Sequence, residues 1–371
     1  MKHFRCNHCE HVVYFENVTC VSCGRALGFV PQYLRMATFE PADAGASGVG
    51  GPSATGTDPA SRLWRSKDGG AYRQCANYGI ERVCNWMVSA ADPNRLCVAC
   101  RLNETVPDMG VPGNRALWGL METAKRRLIY TLLAMRLPVQ PRGVDPQGGL
   151  MFSFMASTPK HQVMTGHDNG HIVINLAEAD DAVREKNRKA MGEPYRTLLG
   201  HFRHEVGHYY WDRLIAGTEL LEQFRALFGD ERLDYQEALN RHYEHGAPAD
   251  WQDRFVSEYA TMHPWEDWAE TWAHFMHMAD TLETAKSLGL VLLPQGTPEL
   301  SLELNTERRQ PLIARTFEEM RDQWIPLTVA LNSLTRSMGT GDAYPFVLST
   351  PALEKLAFVH QVVTQRTADP A

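Results

Sequence analysis

The sequence predicts an α+β fold in which two small cysteine-bearing modules precede an α-rich domain. Three observations predict it. All eight cysteines fall within the first 100 residues. After Pro107 the chain loses cysteine and gains apolar residues at helical spacing. Beyond the first helical stretch, two β-rich runs, VMTGH and HIVINL, flank Asp168-Asn169-Gly170, a hairpin-turn signal.

Length and charge narrow the reading. The 371 residues suffice for one sizeable domain plus one or two small modules. The longest apolar run, Leu128 to Met135, is far shorter than the roughly 20 residues of a membrane span. The N-terminus, MKHFRCNHCE, has no apolar stretch of the secretory kind, so a cytoplasmic chain with no membrane partner is expected. The net charge of -7 is split unevenly, +2 over residues 1–104 and -9 over the rest. A front so weakly charged lacks the clustered basic stripe of a nucleic-acid binder and disfavours that partner without excluding it.

The first module, residues 1–39, carries Cys6-x2-Cys9 and, ten residues later, Cys20-x2-Cys23. Two CxxC knuckles supply four thiolates to one tetrahedral ion, and the metal supplies folding energy that so short a segment lacks. Residues 40–61 are rich in Gly, Ala, Ser and Pro and read as a flexible linker. The second module, 62–106, holds Cys75, Cys84, Cys97 and Cys100. With one CxxC it is less regular, but a second structural zinc site is the expected use of four clustered thiols.

In the domain from 107 to 371 the pattern predicts a helix over 114–137 and strands over 150–156 and 162–176. It then predicts helices over 179–191, from Pro194 to about 216, and over 219–228, 233–243, 248–262, 264–289, 307–337 and 351–365. The His171–Leu176 strand is a candidate edge for an extended peptide. Asp212 and Arg213 are a candidate structural pair.

The helix opened by Pro194 contains His204-Glu205-Val206-Gly207-His208. Residues i and i+4 share a helix face, so both imidazoles converge on one Zn²⁺. Glu205 is rotated about 100° from His204, beside the metal, where it can take a proton from a zinc-activated water. So short a motif also arises by chance, and confirmation requires a third ligand. An extended three-histidine pattern fails, because position 211 is Trp and position 214 is Leu. The better candidate is downstream, where Glu266, Glu270, Ala273 and His277 form one stripe of the predicted 264–289 helix. Two carboxylates one turn apart repel unless a cation or a donor separates them. Zinc on Glu266 and a ligand histidine's free N–H on Glu270 resolves both; two carboxylates facing water on an ordinary amphipathic helix is the alternative.

HExxH followed by E-x-x-A-E on a later helix resembles the gluzincin group of metallopeptidases. The resemblance implies a zincin-like domain with Glu266 as third ligand and Glu270 as support for a ligand histidine. It also implies a tyrosine two turns before the ligand glutamate, and Tyr259 stands there as a candidate oxyanion donor, with an ordinary core tyrosine as the alternative. More closely, the chain resembles a bacterial family of zinc-binding metallopeptidases with an N-terminal zinc ribbon. That likeness runs through the CxxC pairs, RTLLGHFRHEVGHYYWDRL at 196–214, HPWEDWAETWAHFMHMADTLETA at 263–285, and residues 344–346 and 355–360. It implies two zinc-ribbon or rubredoxin-like modules ahead of the catalytic domain, and zinc as cofactor, one catalytic and two structural.

The expected activity is peptide-bond hydrolysis with Glu205 as general base and a peptide or protein as substrate; the ribbons could also dock a protein. The rival readings are an adaptor whose ribbons bind protein or nucleic acid, with the zincin domain as scaffold, and a structural metalloprotein without turnover.

Overall fold

The computed structural model describes residues 2–42, 61–190, 197–304, 313–314 and 316–368. The sequence-predicted linker lies almost wholly outside them, as does Pro194. The protein is α+β, with two four-cysteine, zinc-ribbon-like modules followed by a helical domain.

The modules are short because their knuckles do the folding work. Strands β1 (Phe4–Arg5) and β2 (Val12–Val13) flank the Cys6/Cys9 knuckle. Each knuckle must reverse the chain within a few residues. Glu10 (φ 60°) does so in the first and Gly24 (φ 70°) in the second, the left-handed region that glycine enters freely. Strands β3 (Ala26–Val30), β4 (Arg35–Pro41), β5 (Leu63–Ser66), β6 (Ala71–Gln74) and β7 (Met87–Ser89) form one antiparallel sheet in sequence order, with the one-turn helix α1 (Ala76–Gly79) before β7. The β4–β5 pairing joins the two cysteine segments across the sequence between them.

Strand β8 (Asn103–Thr105) belongs to a different sheet, of order β10-β11-β9-β8, with β9 (Met151–Met155), β10 (Gly166–Asp168) and β11 (His171–Asn175). Asn169 (φ 45°) and Gly170 (φ 79°) turn the β10–β11 hairpin, the positive-φ pair that the Asn-Gly signal predicts. The 171–176 segment is therefore not an edge: β11 lies between β10 and β9, and β10 is the outer strand.

The helices are α2 (Asn114–Ala134), α3 (Asp181–Ala190), α4 (Leu198–Leu214), α5 (Leu220–Phe228), α6 (Tyr235–His245), α7 (Pro264–Leu288), α8 (Phe317–Ser337) and α9 (Thr350–Ala368). Helix α4 begins at Leu198, with the Thr197 hydroxyl capping Gly200 N–H at 3.0 Å. The predicted 248–262 helix does not form; that stretch holds only 3₁₀ turns at Trp251–Asp253 and Tyr259–Thr261. Among the described residues no helix is long and apolar enough to cross a membrane.

The core sits where α2, α4 and α7 meet. Trp118, Trp268, Trp272, Tyr209 and Tyr210 are all fully buried there. Arg203 of α4 and Asp280 of α7 form a buried ion pair, and Thr131 of α2 donates to Asp280 at 2.6 Å. An aromatic cluster of Phe4, Phe15, Phe29, Trp86 and Tyr130 docks both modules on α2. Arg127 reaches Glu16 of the first module at 2.7 Å, and Tyr130 donates to Glu283. Glu283 lies 17 residues after Glu266 on α7, which is about 25 Å of helix rise. The first ribbon thus packs at the opposite end of α7 from the histidine cluster.

Candidate metallopeptidase site

Three groups of metal-ligating side chains converge: Cys6, Cys9, Cys20 and Cys23; Cys75, Cys84, Cys97 and Cys100; and His204, His208 and Glu266. In the first, Cys6 and Cys23 sulfurs stand 3.8 Å apart and those of Cys9 and Cys20 3.6 Å; in the second, Cys84 and Cys97 stand 3.8 Å apart. A tetrahedral ion with metal–sulfur bonds of about 2.3 Å sets its sulfurs about 3.8 Å apart, whereas a disulfide needs about 2.05 Å. The second group is entirely buried, and a buried Arg126 donates to the neighbouring Val83 carbonyl. That guanidinium offsets negative charge on Cys84 and Cys100. Every ligand position is taken by protein, so both clusters fit closed structural zinc sites.

The third group is open. Helix α4 presents His204 and His208 one turn apart, and α7 crosses it to bring Glu266 in. The crossing is close because Gly207 faces α7. A Cβ there would stand 3.0 Å from Ala269 Cα and 3.3 Å from Trp272 Cβ, and Trp268 Nε1 donates to the Gly207 carbonyl at 2.8 Å. Helix α7 starts where it does because Pro264 occupies its first turn and the His263 side chain caps Trp265 N–H at 3.1 Å.

His204 Nδ1 donates to Glu270 Oε1 at 2.7 Å, and Ser257 Oγ donates to Glu270 Oε2 at 2.6 Å. Burial opposes ionisation of Glu270, yet these partners hold its carboxyl down at about 2. With its proton on Nδ1, His204 turns the Nε2 lone pair inward. That atom stands 2.9 Å from Glu266 Oε2 and 3.3 Å from His208 Nε2, and Glu266 Oε1 lies 3.5 Å from His208 Nε2. Glu266 Oε2 is buried and accepts no hydrogen bond. Lone pairs facing one another in a buried pocket repel unless a cation lies between them. The spacings match the edge of a tetrahedron with bonds of about 2.0–2.1 Å, which is about 3.3 Å, and two imidazoles with a carboxylate are a zinc donor set.

Glu205 is beside this cluster, buried, with no hydrogen-bond partner among the described residues. Burial raises its proton affinity above the ordinary carboxylate range. Tyr259 stacks obliquely on His204, ring centroids 5.9 Å apart. Its hydroxyl interacts with that of Tyr235, which donates to Glu266 Oε1 at 2.9 Å. Burial raises the pKa of both phenols, so both remain proton donors. Tyr235 escapes a sequence reading because it lies 31 residues before Glu266, on a helix with no motif. Asp212 and Arg213 do not pair with each other: Arg213 reaches Asp145 at 3.2 Å, and Asp212 approaches His167 at 4.0 Å. His274, also on α7, is a core histidine, bonded to the Tyr344 hydroxyl at 2.7 Å.

Residues 114–362 match the family described as "Putative zinc-binding metallo-peptidase". The chain belongs to this metallopeptidase family. Residues 3–111 match a zinc-ribbon domain, a span that covers both cysteine segments together. Across the full length, the chain is 43% identical to an uncharacterized protein of Mycobacterium bovis and to two of Mycobacterium tuberculosis, covering 100% of this chain and 97% of each relative. No solved structure matches.

Gly207→Val probes the crossing of α4 and α7. A valine there must push α4 from α7, at a cost of about 1–3 kcal/mol, without altering any ligand. Chelator competition should show weaker zinc binding at the histidine site alone; unchanged affinity would mean that the helix crossing does not set the ligand geometry.

Proposed function

We propose that this family member is a gluzincin-type zinc peptidase. His204, His208 and Glu266 hold the catalytic zinc, and the two cysteine groups hold one structural zinc each. When bound, zinc would lower the pKa of a water toward neutrality and would polarise the scissile carbonyl. Glu205 takes a proton from the attacking water and returns it to the departing amine nitrogen. Glu270 keeps His204 in the tautomer that offers Nε2, and Ser257 keeps Glu270 in place. Tyr259, protonated and one ring from His204, donates to the developing oxyanion. Thiolate-rich sites of this kind survive in a reducing compartment, and the eight unpaired cysteines support a cytoplasmic enzyme.

The single observation that carries the reading is the convergence of three lone-pair atoms beside a buried carboxylate that nothing else uses. A scaffold needs the ligands but has no use for Glu205. The test joins metal content to turnover. Wild type should bind three zinc ions and His204→Ala two, and zinc-loaded wild type should generate new termini in a mixed peptide library that His204→Ala does not. Stoichiometry unchanged by His204→Ala, or no cleavage by the loaded wild type, sinks the proposal.

A further inference from the structure

An open surface groove of about 380 Å³ lies one aromatic ring away from the histidine cluster, walled by Ala238, Arg241, His242, His245, Pro248 and Met262 among others, with Arg241, His245 and Pro248 exposed to solvent. Its walls come from α6 and the turn before α7, the same two segments that deliver Tyr235 and Tyr259 to the cluster. That ring is Tyr259: His242 packs edge-on against Tyr259 at 5.8 Å, and Tyr259 packs on His204 at 5.9 Å. Along α6, Arg241 lies six residues beyond Tyr235, about 9 Å of rise.

The 107–371 region is acidic overall, yet no acidic residue lines the groove. Glu258 is the acidic group that faces His242 from the adjoining turn. Arg241 has a permanently charged guanidinium with no side-chain partner among the described residues, and its backbone carbonyl bonds His245 at 3.2 Å. Burial lowers the pKa of His242, which adds a hydrogen-bonding imidazole beside the Arg241 charge. Between these polar groups lie apolar walls, Ala238, Pro248 and Met262, suited to a short methylene stem.

We propose that this groove is a substrate-specificity pocket in which Arg241 binds the carboxylate of an acidic side chain of the peptide substrate. The proposal rests on the peptidase reading and names its substrate class. A planar guanidinium beside apolar walls accepts glutamate or aspartate bidentately and rejects the isosteric amides, which lack the charge.

The test uses the full-length, zinc-loaded Glu205→Gln chain and three fluorescein-labelled decapeptides read by anisotropy. The first has a run of glutamates and an amidated end, the second has glutamines in their place, and the third is the glutamine peptide with a free C-terminal carboxylate. The glutamate peptide should bind roughly tenfold tighter than its glutamine counterpart, the effect of one charge-assisted hydrogen bond. Adding Arg241→Glu should abolish that preference, while Arg241→Lys should retain part of it. Equal binding of the first two peptides, no measurable binding of the glutamate peptide, or a preference that survives Arg241→Glu overturns the pocket. Tighter binding of the free-acid peptide than of the glutamate peptide overturns the side-chain assignment in favour of the chain terminus. Failure of the peptidase reading looks different: the Arg241-dependent preference would persist while wild type cut none of the three.

Discussion

Glu205→Gln should retain the full zinc complement and slow peptide hydrolysis by about 10²–10⁴-fold, the usual share of a positioned general base. The substitution is isosteric, and Glu205 contributes no ligand atom to the His204, His208 and Glu266 group. It also breaks no hydrogen bond among the described residues, so the fold has little reason to respond. What is lost is the capacity to accept a proton: an amide in the same place has no basic oxygen at neutral pH. At about 1.36 kcal/mol per decade, the expected loss corresponds to about 2.7–5.5 kcal/mol of transition-state stabilisation. Metal analysis beside single-turnover cleavage of a library-derived peptide checks both halves. A Glu205→Gln enzyme that cuts at the wild-type rate would remove the base from the mechanism, and one that loses zinc would make Glu205 a structural support instead.

How far the site could be read from sequence follows from how local each interaction is. His204 and His208 are four residues apart on one helix, so their convergence is written into the 3.6-residue period. The CxxC knuckles are equally local. Glu266 and Glu270 were visible as an unlikely acidic pair on a tryptophan-rich helix, although what α7 packs against was not. Tyr235 carries no local signal; it reaches Glu266 only because α6 folds back over the start of α7. The segment from 248 to 262 shows the reverse error. Its composition suits a helix, but a helix there could not place both Ser257 against Glu270 and Tyr259 against His204, and those tertiary contacts prevail over propensity. The β4–β5 pairing was equally hidden, because strand pairing across so long a stretch leaves no periodic trace.

Lys355→Met should destabilise the metallopeptidase domain by roughly 3–5 kcal/mol, the cost of stranding one half of a buried ion pair. Lys355 Nζ lies 2.6 Å from Asp267 Oδ2 and 3.0 Å from the Arg254 carbonyl, and packs 4.2 Å above the Phe255 ring. Its side chain is 7% exposed and that of Asp267 1%. Water therefore cannot replace the ammonium once it is gone. Methionine fills the space but leaves a bare carboxylate next to Glu266, so the histidine site should lose zinc affinity while both cysteine sites keep theirs. Thermal unfolding should shift down by roughly 10 °C, taking 2–4 °C per kcal/mol for a domain of this size. The double variant Lys355→Met with Asp267→Asn separates charge from packing. With no uncompensated charge left, it should recover most of the loss, since replacing both partners costs far less than removing one. If the single variant melts with wild type, helix α9 is not what pins the start of α7. If the double melts as low as the single, packing around Phe228 and Phe255 rather than charge holds the Glu266 end of the site.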